Sequence, residues 1–132
     1  MGADLQSMND TVLKSGHLVL GKFTEKLEEN IAQVCNAKYA VTVGSGSDAL
    51  YYGLVALNIK GKVAIPAQTY IATANSVVRA GCTPVCVDVK SNGLLNWNKV
   101  PKSINTIVWV GLFGNIEELP KNKFIIEDGA QH

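Results

Sequence analysis

Several features that mark whole classes of proteins are missing from this sequence of 132 residues. Arginine occurs once, at Arg79, and the lysines are dispersed, so the formal net charge of +1 comes with no basic cluster that would mark a nucleic-acid footprint. No apolar run approaches the length of a membrane span, and the first ten residues lack the apolar core of a signal peptide. These absences predict a cytoplasmic protein that binds neither nucleic acid nor membrane.

Cysteine is also scarce. Cys35, Cys82 and Cys86 are odd in number, lie in or beside apolar runs and form no C-x-x-C pair. That pattern predicts buried, reduced thiols rather than a disulfide framework, and no metal site.

The residues that are present predict a globular α/β protein, since 47% are apolar and 17% charged. Short apolar runs typical of buried strands alternate with segments of helical periodicity, which indicates a mainly parallel sheet covered on both faces. We therefore predict a three-layer α/β/α fold and one domain over residues 1–132. The predicted strands are residues 39–43, 63–65, 85–89, 106–110 and 124–126, and the predicted helices are 11–14, 24–35, 47–58 and 69–79.

The segment from Tyr39 to Leu50 organises the prediction as a strand, a tight loop and the start of a helix. Gly44 and Gly46 would let the backbone turn sharply and approach a ligand closely, because neither carries a Cβ atom. Ser47 would cap the helix, whose first N–H groups and positive dipole end favour an anion such as a phosphate.

Two familiar phosphate loops do not fit this segment. Gly44-x-Gly46-x-x-Ala49 satisfies the dinucleotide fingerprint, but residues 49–87 contain no Asp or Glu to hold a ribose hydroxyl. A Walker loop fails because no Lys-Ser or Lys-Thr follows the glycines at the required spacing. Turn formation without any ligand remains the plain alternative.

Two more side chains would reach the same edge of a parallel sheet. Tyr70 follows the second predicted strand and could stack on a planar ligand, or it could simply pack in the core. Asp128 ends the fifth predicted strand, where a carboxylate can pair with a cation and keep it protonated. A helix cap and a metal ligand are the alternatives for Asp128.

Four segments resemble, in order and spacing, the front part of the DegT/DnrJ/StrS family of pyridoxal phosphate (PLP)-dependent sugar aminotransferases. GSGSDAL at residues 44–50 is similar to the family's S-G-T-D-A-L phosphate segment, and PAQTYIATAN at 66–75 to its P-x-x-T-[FWY]-x-A-T-x-N stretch. AGCTPVCVDV at 80–89 resembles A-G-x-x-P-V-F-V-D-[IV], and EDGAQ at 127–131 resembles E-D-A-A-Q.

The resemblance implies a fold, a cofactor and a set of contacts. The fold would be an incomplete large domain of the type I PLP-dependent transferases. Tyr70 would stack on the PLP ring, Asp128 would bind its ring nitrogen and Gln131 its 3-hydroxyl group. The phosphate contacts would come from the helix start, from Ser47 together with Gly46 and the backbone around Asp48 and Ala49.

The resemblance also implies a reaction, in which an amino group, usually from glutamate, is transferred to a nucleotide-linked keto sugar by a homodimer. The family's Schiff-base lysine lies beyond the position of Asp128, and no lysine here matches its context, so we assign no catalytic residue. The small C-terminal domain of the family is likewise absent, and Gly111 stands where a His is common. We therefore expect a truncated chain that is inactive alone.

Two other functions and one other reaction stay open at this point. The chain could be a non-catalytic domain that binds a phosphate ligand or self-associates, or, less favoured, a fragment of a nucleotide-binding oxidoreductase. A PLP-dependent dehydratase is a further alternative to the aminotransferase.

Overall fold

The computed structural model describes residues 2–131, with side chains from Asp4 onward. Contacts divide the chain into two compact units, Met1–Thr42 and Val43–His132. The single domain over residues 1–132 therefore stays a prediction. Within the described residues, no helix is long and apolar enough to cross a membrane.

The first unit contains two helices, α1 (Gly2–Ser15) and α2 (Lys22–Val34). The short helix predicted at residues 11–14 is wrong in length. Weak apolar periodicity concealed α1, but Asp4 in its first turn and Lys14 in its last turn both favour the helix dipole. Thr24 is not the cap of α2, because the helix begins two residues earlier with Gly21 at the N-cap position.

The strand predicted at residues 39–43 is absent from the structure. A strand needs a neighbour to receive its backbone hydrogen bonds, and the N–H of Thr42 instead donates to Glu28 Oε1 at 2.7 Å. The Thr42 hydroxyl donates to the same oxygen at 2.8 Å. Both hydrogen bonds lower the pKa of Glu28, and the one from the backbone N–H of Thr42 has the larger effect. Val41 remains exposed.

The second unit is built on a four-stranded, fully parallel sheet with the strand order β2-β1-β3-β4. Its elements in chain order are α3 (Gly46–Ala56), β1 (Lys62–Pro66), α4 (Ile71–Arg79), β2 (Thr83–Val87), β3 (Thr106–Val110) and β4 (Phe124–Asp128). Short 3-10 turns occur at Trp97–Lys99 and Leu112–Gly114. The predicted parallel α/β sheet is thereby confirmed.

The sheet has an apolar cluster on each face, because successive residues of a strand point to opposite sides. On β3, Val108 and Val110 join the cluster that contains Leu54 of α3 and Val77 of α4. Ile107 and Trp109 join the second cluster, with Leu94, Leu95 and Ile104 from the connection between β2 and β3. In residues 43–131 this second face is thus covered by irregular chain and a short 3-10 turn rather than by an α-helix.

Two further predictions needed correction. The strand predicted at 85–89 runs from Thr83 to Val87, so it includes Pro84, which is tolerated because β2 lies at the edge of the sheet. Of the three cysteines, only Cys82 is buried, whereas Cys35 and Cys86 are exposed. The free thiols themselves were expected.

The helix starts also differ from the prediction. α3 is capped by Ser45 rather than Ser47, since the Ser45 Oγ accepts a hydrogen bond from the N–H of Asp48 at 3.1 Å. α4 is preceded by Tyr70 rather than Thr69, whose hydroxyl pairs with that of Thr73 at 2.9 Å. The predicted end of α4 is confirmed, because Gly81 follows the helix with a φ of +76°.

We expect Ser45→Ala to lower the free energy of unfolding by about 1 kcal/mol, because it removes the N-cap acceptor. Ser47→Ala is the matched control, with an expected loss below about 0.5 kcal/mol, since the Ser47 hydroxyl makes no hydrogen bond to the residues that the structure describes. Urea denaturation followed by circular dichroism compares the two variants. Equal losses would mean that Ser45 does not cap α3.

Candidate cofactor site

A cavity of about 280 Å³ opens at the edge of the sheet where the parallel strands end. Its size is close to the lower end of ligand pockets, roughly 300 Å³. Five of the seven residues predicted to bind a cofactor line it, namely Gly46, Ser47, Tyr70, Asp128 and Gln131. Most of the other lining side chains are apolar, so the cavity offers a few polar groups on an apolar wall.

The start of α3 supplies hydrogen-bond donors to this cavity. The N–H groups of Asp48 and Ala49 donate to the side chain and the carbonyl of Ser45, at 3.1 and 2.9 Å. The N–H groups of Gly46 and Ser47 precede the first helical hydrogen bond and have no acceptor within residues 2–131. With the Ser47 hydroxyl they can bind an anion at the positive end of the helix dipole.

Glycine at position 46 is not required by the backbone. Neither Gly44 nor Gly46 has a positive φ, so the expected sharp turn is not the reason for these two glycines. A Cβ atom added to Gly46 would meet no protein atom within 4 Å. Because Gly46 lines the cavity, the close approach of a ligand to this glycine stays a prediction.

Asp48 and Ala49, the other two predicted phosphate contacts, are not among the residues that line the cavity. The carboxylate of Asp48 instead accepts hydrogen bonds from Arg79 Nη1 at 2.7 Å and from the Ser45 hydroxyl at 2.9 Å. Both hydrogen bonds lower the pKa of Asp48, and the one from Arg79 has the larger effect. The hydrogen bond to Asp48 in turn raises the pKa of Arg79. The assignment of Asp48 and Ala49 to phosphate binding stays a prediction.

The ring of Tyr70 lies at the cavity and is 75% exposed. Packing in the core, the alternative explanation of this residue, is therefore excluded. Tyr70 is fixed by its position directly before the first turn of α4, where its carbonyl accepts from the N–H of Thr73 at 3.0 Å. An exposed ring on a rigid helix start can stack on a planar ligand.

Asp128 is the last residue of β4, is half-buried and lines the cavity. One carboxylate oxygen accepts from the N–H of Ala130 at 3.2 Å, which leaves the second oxygen for a cationic ligand atom. Within the described part of the chain, no group of three or more His, Cys, Asp or Glu side chains is arranged to hold a metal. The assignment of Asp128 to a protonated ring nitrogen stays a prediction.

Gln131 presents its amide to the cavity in a defined orientation. Its Oε1 accepts a hydrogen bond from the N–H of Phe113 at 2.7 Å, so its NH₂ group is left to donate to a ligand oxygen. Phe113 itself has a φ of +60°, a region that costs a bulky residue energy and that recurs at functional sites.

Sequence reasoning missed the side chains that hold this site from α4. Ser76 is 3% exposed and donates its hydroxyl to the carbonyl of Ser47 at 3.0 Å, while Arg79 binds Asp48 from the next turn. The i, i+3 spacing of Ser76 and Arg79 places both on one helix face. No local sequence motif would have revealed contacts that depend on how α3 and α4 pack.

The polar groups fit PLP in chemical type. The donors at Gly46 and Ser47 suit the phosphate of PLP, and the ring of Tyr70 suits stacking on its aromatic face. The carboxylate of Asp128 suits the ring nitrogen, and the NH₂ group of Gln131 suits the phenolic oxygen. Among the residues lining the cavity there is no lysine.

Comparison with known proteins gives consistent matches over nearly the whole chain. A dTDP-3-amino-3,6-dideoxy-alpha-D-galactopyranose transaminase of Aneurinibacillus thermoaerophilus is 32% identical over 143 residues, covering 97% of this chain and 39% of that protein. The crystal structure of S. venezuelae DesV in complex with a ketimine intermediate matches with a TM-score of 0.80 and 31% identity, over 88% of this chain and 33% of DesV. E. coli GDP-4-keto-6-deoxy-D-mannose-3-dehydratase with bound hydrated PLP matches with a TM-score of 0.79 and 25% identity, over 91% of this chain and 36% of the dehydratase.

These likenesses confirm the fold predicted from the resemblance. The chain spans only 22% to 39% of the length of the curated relatives that it matches. The model of the DegT/DnrJ/EryC1/StrS aminotransferase family matches residues 1–129. The chain therefore belongs to the DegT/DnrJ/EryC1/StrS aminotransferase family.

Proposed function

We propose that this chain binds PLP in the cavity at the carboxyl edge of its sheet, and that its role is the cofactor-binding part of a sugar aminotransferase. The observation that carries the proposal is the convergence of Ser47, Tyr70, Asp128 and Gln131 on one cavity. These residues come from three separate regions of the sequence, and each offers a group suited to a different part of the cofactor.

When bound, PLP supplies the electron sink for moving an amino group between carbon skeletons. The residues of this chain bind and orient the ring. Ser47 and the first turn of α3 hold the phosphate, Tyr70 covers one face, and Gln131 donates to the phenolic oxygen. Asp128 holds a proton on the ring nitrogen, because a nearby negative charge raises the pKa of a basic nitrogen.

The substrate class follows from the family. We propose that the whole protein transfers an amino group, usually from glutamate, to a nucleotide-linked keto sugar and works as a homodimer. Support for amino transfer comes from the transaminase that matches this chain, and support for a nucleotide-linked keto sugar comes from the matching GDP-4-keto-6-deoxy-D-mannose-3-dehydratase. The dehydratase keeps loss of water from a sugar open as the rival reaction.

The cavity lacks a lysine among its lining residues, so we propose that these 132 residues alone bind PLP without a covalent bond and do not catalyse transamination. Such a chain would act as a phosphate-ligand-binding domain. Activity then requires a lysine from outside the described site.

The proposal is tested by titrating the chain with PLP and following the shift of the cofactor absorbance. We expect saturable binding at one site, and Ser47→Ala to weaken it at least tenfold, because a hydrogen bond to a charged group contributes about 1.5–3 kcal/mol. Pyridoxal, which has no phosphate, is the control ligand and should not distinguish the two proteins. Light scattering of the same samples measures self-association.

Borohydride reduction followed by mass spectrometry tests the non-covalent mode. We expect no stoichiometric pyridoxyl adduct at a single lysine. One specific adduct would contradict the proposed lack of a catalytic lysine, and failure to bind PLP at all would contradict the cofactor assignment and favour an interaction domain.

A further inference from the structure

Arg79 occupies an unusual position for the only arginine of the chain. Its Nη1 donates to Asp48 Oδ1 at 2.7 Å, and its guanidinium carbon lies 3.9 Å from the ring centroid of Tyr51. The Arg79 side chain is still 53% exposed, so a contribution to fold stability alone would be small. The ion pair and the stacked ring together hold one cation beside the first turn of α3.

Asp48 creates an electrostatic difficulty for that turn. It is the third residue of α3, directly after Gly46 and Ser47, whose N–H groups and hydroxyl border the cavity. A carboxylate at a helix N-terminus suits the helix dipole. However, it repels a phosphate bound to the same turn, and at a partly exposed position such repulsion changes affinity about tenfold.

Two residues of α4, Ser76 and Arg79, contact this turn in different ways. Ser76 fixes the backbone through the carbonyl of Ser47, at 3.0 Å, and it is buried. Arg79 contacts only the side chain of Asp48 in this turn, and the other carboxylate oxygen of Asp48 accepts a hydrogen bond from the Ser45 hydroxyl at 2.9 Å. The backbone of the turn is thus held without Arg79, and what Arg79 adds is charge.

We propose that Arg79 is a positioning residue that compensates the charge of Asp48, so that the first turn of α3 can bind a phosphate dianion. This inference rests on the proposed PLP site. Arg79 is not among the residues that line the cavity, although it borders an adjoining pocket together with Ser47 and Tyr70, and it acts through Asp48. The role differs from that of a structural clamp between α3 and α4, because a clamp needs both partners whereas compensation needs only that the negative charge be cancelled.

The test measures dissociation constants of PLP, inorganic phosphate and pyridoxal for the 132-residue chain and its variants Arg79→Met, Asp48→Asn and the double variant. We expect Arg79→Met to weaken PLP and phosphate about tenfold. Asp48→Asn should bind both at least as tightly as the parent chain, and the double variant should return to within about threefold of it. Pyridoxal should not distinguish the four proteins.

Lys102→Met is the matched control, since it removes an equal charge at an exposed position before β3, at the opposite end of the sheet from the cavity. It should leave phosphate affinity unchanged. Thermal melting of each variant verifies that it is folded, and both Arg79 and Asp48 are accessible enough for that to be expected.

The outcomes distinguish failure of this inference from failure of the proposed PLP binding. If the parent chain binds neither PLP nor phosphate, the proposed function fails and the inference fails with it. If the parent chain binds PLP but Arg79→Met binds equally well, only the inference is overturned. The same holds if Asp48→Asn and the double variant are as weak as Arg79→Met, because that pattern identifies a clamp.

Discussion

Replacing Trp109 by Phe should lower the free energy of unfolding by about 2–4 kcal/mol. Trp109 is 1% exposed near the carboxyl end of β3, and its Nε1–H donates to Glu117 Oε1 at 3.1 Å. Phenylalanine removes this hydrogen bond to a charged acceptor and leaves a gap in the second apolar cluster. Urea denaturation followed by circular dichroism at 222 nm measures the loss without relying on tryptophan fluorescence, which the substitution itself changes.

Trp97→Phe is the matched control for that experiment. Trp97 packs against the same cluster, but its buried Nε1–H finds no acceptor within residues 2–131. Because an unsatisfied buried donor is itself costly, its removal offsets the lost packing, and we expect a change below about 1 kcal/mol. Equal destabilisation by the two substitutions would show that ring size alone, and not the hydrogen bond to Glu117, decides the effect.

The strands of the sheet were predictable because each is a short run of consecutive apolar residues, which is typical of a buried strand. β3 was predicted with its observed bounds, since residues 106–110 form a short apolar, β-branched run that is typical of a strand covered on both faces. β1 was predicted to within one residue at each end. For such central strands the composition of the segment carries the information, and no distant contact has to be known.

Elements whose state depends on a partner were less predictable. Residues 39–43 have the β-branched composition of a strand, yet the N–H of Thr42 is bound by the Glu28 side chain, fourteen residues earlier. Helix caps were misassigned at Ser47, Thr24 and Thr69 because several small polar residues lie near each helix start. Which of them bonds the backbone depends on the local path of the chain.

Some residues of the candidate site could be predicted from the sequence, whereas others depend on how helices pack. Tyr70 and Asp128 were located from sequence because Tyr70 follows a strand and Asp128 ends one, and parallel strands end at one edge of the sheet. Arg79 and Ser76 were not, since their contacts with Asp48 and Ser47 arise only when α4 packs beside α3. Residues predicted to bind a ligand were thus easier to locate than the residues that hold them in place.

Asp128→Asn should remove the preference of the chain for PLP over an analogue in which C–H replaces the ring nitrogen. A carboxylate within about 4–6 Å raises the pKa of a basic nitrogen by roughly 1–3 units, and each unit corresponds to a tenfold preference for the protonated ring. We therefore expect the parent chain to bind PLP at least tenfold more tightly than the analogue. Asp128→Asn should bind the two ligands within about threefold of each other, as measured by competition titration.

Glu127→Gln is the matched control, because it makes the same charge change one residue away on the same strand. Successive side chains of β4 point to opposite faces: Asp128 is opposite Val110 at the cavity, whereas Glu127 is opposite Trp109 and does not line the cavity. Glu127→Gln should therefore keep the preference for PLP. If both variants lose the preference equally, the general charge of the strand end, rather than contact of Asp128 with the ring nitrogen, determines binding. If neither variant loses it, the ring nitrogen does not lie at Asp128, and the proposed orientation of the cofactor is wrong.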